Sequence, residues 1–225
     1  MKRMSKTTAL EHYEQALYEM RCYVGDPIAS ANRALALRPD MVMAHALKAW
    51  AYLLGTEPAG VNAARRVLLA AKAFEASDVE RGHLAAIDAL VRGRWREAGR
   101  RLEGLTAAHP LDLLALQAGH LIDFYTGEAR LLRDRIARAL PAWDEGRPGY
   151  HAVLAMHAFG LEEMADYPQA ERFGRRSLEL EPHDAWAKHA VAHVMEMQNR
   201  LTEGIAWMQN DPDMWASGSS FAVHL

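Results

Sequence analysis

The chain has only one cysteine among its 225 residues, Cys22. A single thiol excludes an intramolecular disulfide and every metal site that is built from several cysteines. Such low use of cysteine is typical of proteins in a reducing compartment. We therefore expect a cytoplasmic protein.

Positive charge is not in excess, and long apolar runs are missing. There are 26 Lys and Arg against 29 Asp and Glu, and the formal net charge is -3. Because no basic field would concentrate a polyanion, we expect no binding to nucleic acid or to an anionic membrane. No stretch reaches the ~18 apolar residues of a membrane span, and polar residues 5–8 stand where a secretion signal needs an apolar segment. The sequence predicts neither export nor a membrane span.

Alanine dominates the composition. The chain contains 41 alanines together with much Leu, Glu and Arg, whereas the alternation of apolar and polar residues that marks a strand is absent. Half of the residues are hydrophobic and 24% are charged, which is enough to bury a core. These features predict an all-α fold.

Two segments of the chain end alike, and this similarity indicates a repeat. Residues 34–40 and 177–182 both read as the end of a helix followed by proline, at Pro39 and Pro182. A tetratricopeptide template of 34 residues, which forms one helical hairpin, fits residues 151–184 when its last proline is placed at Pro182. The predicted units are 8–41, 42–78, 79–112, 113–150, 151–184 and 185–218.

Helical hairpins of this kind cannot bury their apolar faces alone, so they stack. We predict one domain over residues 1–225, a right-handed superhelical solenoid of about six repeats. Residues 219–225 have the apolar pattern of a further helix with no partner after it. An uncovered end of a solenoid favours self-association, so a homo-oligomer formed through the C-terminal end is a further expectation.

Four segments carry a family resemblance. They are His109–Leu116, Phe159–Glu163, Asp184–Met197 with its run His-Ala-Val-Ala-His-Val-Met-Glu-Met, and Glu203–Trp207. Together they resemble the tetratricopeptide repeat protein 38 family, whose members are about twice as long. The resemblance is to the N-terminal half of such a member. It implies a helical repeat fold in the cytoplasm and brings no reaction, substrate or cofactor with it.

In tetratricopeptide units, positions 2, 5, 9, 12 and 13 of the first helix face a concave groove, because this spacing follows the helical period. Applied to this chain, the rule predicts an apolar groove that carries several histidines. No Lys, Arg or Asn stands at positions 5 and 9, which argues against a clamp for carboxylate groups. We therefore expect a peptide segment or a small apolar ligand. The candidate ligand-binding residues in this groove are Trp50, His83, Phe159, Glu162, Glu163, Trp186, His189, His193 and Glu196.

His189 and His193 are the sharpest polar pair, because two histidines four residues apart lie one helical turn from each other. This spacing is used by metal sites on helices. Glu196 lies too far along the helix to bind the same metal ion as both histidines, and Glu162 or Glu163 of the preceding unit is a better third ligand. The simpler interpretation is that the histidines form hydrogen bonds within the groove. A general acid or base role for His193 is a third alternative.

His120 and Asp123 stand at template positions 8 and 11, which normally hold small or apolar residues. They are candidates for a functional site, and the alternative is a buried His–Asp pair. We assign no catalytic residue, no metal and no cofactor. The predicted function is a non-catalytic interaction scaffold, and the alternative is a metal-dependent enzyme or metal-binding protein that uses His189 and His193.

Overall fold

The protein is all-helical in the computed structural model, which describes residues 7–210. Within that range the chain forms twelve α-helices, one short 3-10 helix at Leu140–Ala142 and no strand, so the predicted all-α class is confirmed. The predicted helix start at 219–225 and the end of the 185–218 unit lie outside the described residues. The helices are α1 (Ala9–Cys22), α2 (Pro27–Leu37), α3 (Val42–Leu54), α4 (Pro58–Ala71), α5 (Asp78–Val91), α6 (Trp95–Ala108), α7 (Leu113–Tyr125), α8 (Ala129–Ala139), α9 (Tyr150–Glu162), α10 (Tyr167–Leu180), α11 (Ala185–Met197) and α12 (Leu201–Gln209).

Several helices begin where the sequence supplies a cap. At α1 the Glu11 N–H donates to the Thr8 hydroxyl, 3.2 Å away, and the Thr8 N–H donates to the Glu11 carboxylate at 2.6 Å. Ser77 and Glu80 form the same capping box at the start of α5. Each box satisfies two backbone donors that a helix start leaves open.

The turn inside each successive pair of helices contains a residue in the left-handed backbone region. Its φ lies between 58 and 74° in all six described pairs. A left-handed residue after a helix reverses the chain within a few residues, so the second helix packs back against the first. The six residues are Tyr23, Thr56, Gly93, Gly127, Ala165 and Asn199.

Consecutive helices pack against one another along the whole described chain, and most odd-numbered helices also contact each other. Small residues allow close approach between them. A Cβ atom placed on Gly60 of α4 would lie 2.3 Å from the backbone oxygen of Tyr52 in α3. Any other residue at this position would push the two helices apart.

The first helix also packs against the eleventh. The rings of Tyr23 and Trp186 stack with their centroids 5.2 Å apart, and the Gln117 side-chain N–H donates to the Met20 carbonyl oxygen at 3.0 Å. The end of α1 thus lies across the inner surface formed by α7 and α11. This contact encloses what the sequence predicts as an open groove.

None of the helices within residues 7–210 combines the length and the apolar composition that a membrane crossing needs.

Candidate functional site

A cavity of about 680 Å³ lies between the α1–α2 turn, the end of α3, α7 and α11. We call it the central cavity. Its volume falls within the range of about 300–1,000 Å³ that is usual for small-molecule sites. The lining residues are Glu19, Met20, Tyr23, Val24, Gly25, Asp26, Pro27, Ile28, Ala51, Leu54, Gly55, Glu57, Gln117, Leu121, Phe124, Tyr125, Trp186 and His189.

A second depression of about 810 Å³ lies at the start of α6, and its wall includes Arg94, Glu97 and Arg100. It is shallow and open to solvent. Arg94 pairs with Glu97 across 2.9 Å there. Because the depression contains none of the predicted site residues, the central cavity is the better candidate site.

Phe159 is the centre of an aromatic cluster beside the central cavity. Its ring contacts the rings of Phe124 at 5.4 Å and Trp186 at 4.8 Å, both of which line the cavity. It also stacks on His189 at 5.8 Å. Phe159 itself is fully buried, so it supports the cavity wall from behind. The structure therefore brings together three of the predicted groove residues, Phe159, Trp186 and His189.

His189 and His193 lie together as the sequence predicts. Their ring centroids are 4.3 Å apart, and Nδ1 of His193 lies 3.8 Å from Oε2 of Glu162. Glu163 and Glu196 are exposed nearby. No group of three or more His, Cys, Asp or Glu side chains within residues 7–210 is arranged so that it could hold a metal ion. The cluster is thus a pair of imidazoles beside one carboxyl group.

The carboxyl group of Glu162 is buried, and its Oε2 accepts no hydrogen bond from the described residues. Burial raises the pKa of Glu162 to about 7, and the negative charges of Glu163 and Glu196 add to the effect. A group with such a pKa changes its charge near neutral pH. His193 is the basic side chain that faces it.

Replacing Glu162 by glutamine is expected to make the stability less dependent on pH. In the unfolded chain this carboxyl group titrates near 4.5, so between pH 4.5 and 7 the folded state binds more protons than the unfolded one. The stabilisation is therefore present below pH 4.5 and is lost as the pH rises through 7. At pH 8 the variant should be more stable than the parent by up to about 3 kcal/mol.

Urea unfolding of Glu162→Gln at a series of pH values measures this effect. The matched control is Glu75→Gln, because Glu75 is exposed and forms no ion pair within the described residues. If the free energy of unfolding depended on pH in the same way for the parent and for Glu162→Gln, the pKa of Glu162 would not be raised by folding.

Trp50 and His83 form a buried polar network rather than part of an open surface. The Trp50 indole N–H donates to Nδ1 of His83 at 3.0 Å, and Nε2 of His83 lies 2.9 Å from Oδ2 of Asp112. Since Nδ1 accepts, the proton of the ring is on Nε2 and is donated to Asp112. Burial by itself raises the pKa of Asp112, but the hydrogen bonds from His83 and the Ala115 N–H bring it below its ordinary value.

In contrast to the predicted groove lining, Trp50 and His83 are each 0% exposed. The reason is that Asp112 caps α7 and holds His83 against the start of that helix. Neither side chain presents a surface to a ligand in this structure.

A similar arrangement recurs two units later. Nδ1 of His151 lies 2.7 Å from Oδ2 of Asp184, which caps α11 through the Ala187 N–H. The Ser177 hydroxyl donates to the His151 carbonyl oxygen at 2.8 Å. His83 and His151 both tie a first helix to the start of the next first helix, which is a structural role.

The predicted alternative of a buried His120–Asp123 pair is wrong. Asp123 instead accepts two hydrogen bonds from Arg135, at 2.8 and 3.0 Å. Within residues 7–210 neither ring nitrogen of His120 has a hydrogen-bond partner, and the ring is edge-on to Phe159 and Trp186. Burial lowers the pKa of His120 to about 3, and the charge of Arg135 adds to the shift. His120 is thus a neutral member of the aromatic cluster.

The cavity also contains residues that the sequence did not single out, above all Glu19, Tyr23 and Phe124. Glu19 and Tyr23 come from the end of α1 and its turn, which reach α11 only through the closure of the fold. Phe124 could have been found, because it stands at position 12 of the unit 113–150, one of the positions that face the groove. Glu19 stands at position 12 of the unit 8–41, so the groove rule also places it on the inner face, whereas no local signal marks Tyr23.

A comparison of the chain with models of known protein families gives no match. The resemblance to the tetratricopeptide repeat protein 38 family therefore rests on the four quoted segments alone. What the protein does has to be argued from the geometry of the central cavity and the aromatic cluster.

Proposed function

We propose that the protein is a non-catalytic interaction protein that binds a small apolar ligand or a peptide segment in the central cavity. The observation that carries this proposal is the cavity itself, about 680 Å³ in volume, with four aromatic side chains in its wall. Enclosed apolar sites with a few polar groups are the usual form of ligand pockets. The four aromatic residues are Tyr23, Phe124, Tyr125 and Trp186.

We further propose that the helix pairs are tetratricopeptide-type repeats stacked into a right-handed superhelix, and that the chain belongs to the tetratricopeptide repeat protein 38 family and acts in the cytoplasm. The left-handed residue in each of the six intra-pair turns supports the repeats, because it recurs at intervals close to the 34-residue period of such units. The close helix approaches at small residues agree with the same interpretation.

The interaction function accounts for the polar groups better than catalysis does. His120, Trp50 and His83 are buried in the core, and the Arg135–Asp123 pair satisfies itself. His189 alone among the histidines of residues 7–210 lines the central cavity. An imidazole beside aromatic rings can orient a ligand.

Binding of the neutral apolar dye Nile red tests the proposal. The dye should bind with a stoichiometry of one per chain, with a rise in fluorescence. Ala51 lines the central cavity, so Ala51→Trp should fill part of it and weaken binding by at least about 10-fold, since an overfilled site cannot accept the dye.

Ala107→Trp is the matched control, because Ala107 is exposed on α6 and lies outside the cavity wall. It should leave the affinity for the dye unchanged. Equal affinities for both variants and the parent, or no binding to any of them, would overturn the proposed function.

A further inference from the structure

The wall of the central cavity carries charge of one sign. Three carboxylates line it, those of Glu19, Asp26 and Glu57, and no Lys or Arg of the described chain does so. Within residues 7–210 none of the three carboxylates lies in an ion pair, whereas many other acidic side chains do, for example Asp123 with Arg135 and Glu171 with Arg200. The wall of the cavity is therefore negatively charged, although the Asp26 carboxylate also accepts the Ala29 N–H at the start of α2, 2.9 Å away.

Glu19 is the most informative of the three, because its side chain is only 8% exposed. Its carboxylate accepts hydrogen bonds from the Ser30 hydroxyl at 2.6 Å and the Gln15 amide at 3.0 Å, both of which are neutral donors. Burial of a carboxylate without an opposite charge costs free energy unless a cation is supplied. Neutral hydrogen bonds thus hold this carboxylate in place.

Arg33 is the nearest candidate for a counter-charge within the chain. Its guanidinium donates to the Ser30 hydroxyl at 2.6 Å and reaches Glu19 only through that hydroxyl. Arg33 does not line the cavity. Within the described residues, the direct hydrogen-bond donors to Glu19 are thus the Ser30 hydroxyl and the Gln15 amide, and Arg33 stands one hydroxyl away.

The aromatic part of the wall suits the same kind of occupant. Phe124 and Tyr125 are the exposed rings of this wall, 39% and 42% exposed, whereas Trp186 is 4% exposed with Tyr23 stacked on it. The Tyr125 hydroxyl is already used as a donor to the Leu54 carbonyl oxygen at 2.8 Å. Aromatic faces attract cations. A carboxylate beside such a face adds a direct charge attraction for an ammonium group.

We propose that the ligand of the central cavity is an organic cation, an ammonium or guanidinium group carried on a hydrocarbon or aromatic body. Its charged group lies beside Glu19, with Asp26 and Glu57 at the mouth, and its apolar body lies against the aromatic wall. This inference rests on the proposed function, because it names the chemical class of the ligand for the same cavity.

Three naphthalene compounds that differ in charge test the inference by titration calorimetry at neutral pH and low salt. They are 1-naphthylmethylamine, 1-naphthylmethanol and 1-naphthoate, which are a cation, a neutral molecule and an anion on one apolar body. The amine should bind at least about 10-fold more tightly than the alcohol, and the carboxylate most weakly. Added salt should reduce the preference for the amine.

Glu19→Gln should bring the amine and the alcohol to nearly equal affinity, because it removes the charge that distinguishes them. Glu14→Gln is the matched control on the same helix, because Glu14 is exposed and lies outside the cavity. It removes the same charge and should keep the full preference. Should Glu19→Gln fail to fold, Glu57→Gln at the exposed mouth should still reduce the preference.

A short peptide pair identifies the source of the cation. Acetyl-Leu-Lys-Leu-amide is compared with its norleucine counterpart and with the free amine. A lysine peptide that binds more tightly than the free amine would identify a basic peptide segment, and the reverse order would identify a small amine.

Equal binding of the amine and the alcohol to the parent protein would overturn this inference and leave the proposed function standing. Failure of the alcohol, the amine and Nile red alike would overturn both.

Discussion

Replacing Arg135 by methionine is expected to lower the free energy of unfolding by about 3–5 kcal/mol. The guanidinium of Arg135 donates two hydrogen bonds to the Asp123 carboxylate, and both side chains are almost fully buried. The variant leaves Asp123 in the interior without an opposite charge. A Cβ atom on Gly119 would lie 2.7 Å from Nε of Arg135, so this position also has to stay glycine for the pair to fit.

The loss of unfolding free energy in Arg135→Met should grow as the pH rises. Burial raises the pKa of Asp123 even when Arg135 is present, since the hydrogen bonds and charge of Arg135 only partly offset it. Without the arginine the folded state holds the proton more strongly than the unfolded state does. Stability of the variant is therefore greatest in acid and falls as the pH rises above about 4.

Urea unfolding followed by circular dichroism measures the change. Arg138→Met is the matched control, because Arg138 lies on the same helix and its side chain is 51% exposed in a pair with Glu103. It should cost no more than about 0.5 kcal/mol. The double variant Arg135→Met/Asp123→Leu should recover most of the loss, and a loss equal to that of Arg138→Met would contradict the prediction.

Replacing Phe159 by alanine is expected to cost about 3–5 kcal/mol of unfolding free energy. The side chain is 0% exposed and its ring contacts Phe124 of α7 as well as Trp186 and His189 of α11. Removal of the ring leaves a cavity among these three and withdraws the support of two rings that line the central cavity. Affinity for Nile red should fall together with stability.

The same unfolding assay measures this change, and the fluorescence of the tryptophans reports on the packing around Trp186. Phe159→Leu keeps most of the volume and should cost less than half as much. Leu69→Ala is the control, because Leu69 is 65% exposed and should have little effect. A Phe159→Ala variant as stable as Leu69→Ala would show that the ring does not hold α7, α9 and α11 together.

The aromatic cluster shows how far the sequence alone could lead towards the site. Phe159, His189 and His193 come together because the helical period and a repeat length near 34 residues determine which side chains share the inner face. The same reasoning predicted Trp50 and His83 as groove residues, whereas the structure buries both in the core. Their exposure depends on Asp112, which caps the next first helix and draws His83 into the core.

Asp123 shows that sequence spacing can predict the need for a polar partner without predicting which residue the partner is. The spacing showed that a carboxylate stands where the template expects an apolar residue, so it has to meet another polar group. The partner is Arg135 of α8 rather than His120 of its own helix. Sequence spacing predicts which face of α7 carries Asp123, but the choice between two possible partners depends on how far α8 lies from it.

The amino-acid sequence by itself determined the helical class and the positions of the caps and turns, because these depend on interactions between residues close together in the chain. Only the tertiary structure decided that α1 closes onto α11 and brings Glu19 and Tyr23 to Trp186 and His189. The physical reason is that this closure sums small rotations over many packed helices, so no local pattern records where the first helix meets the eleventh.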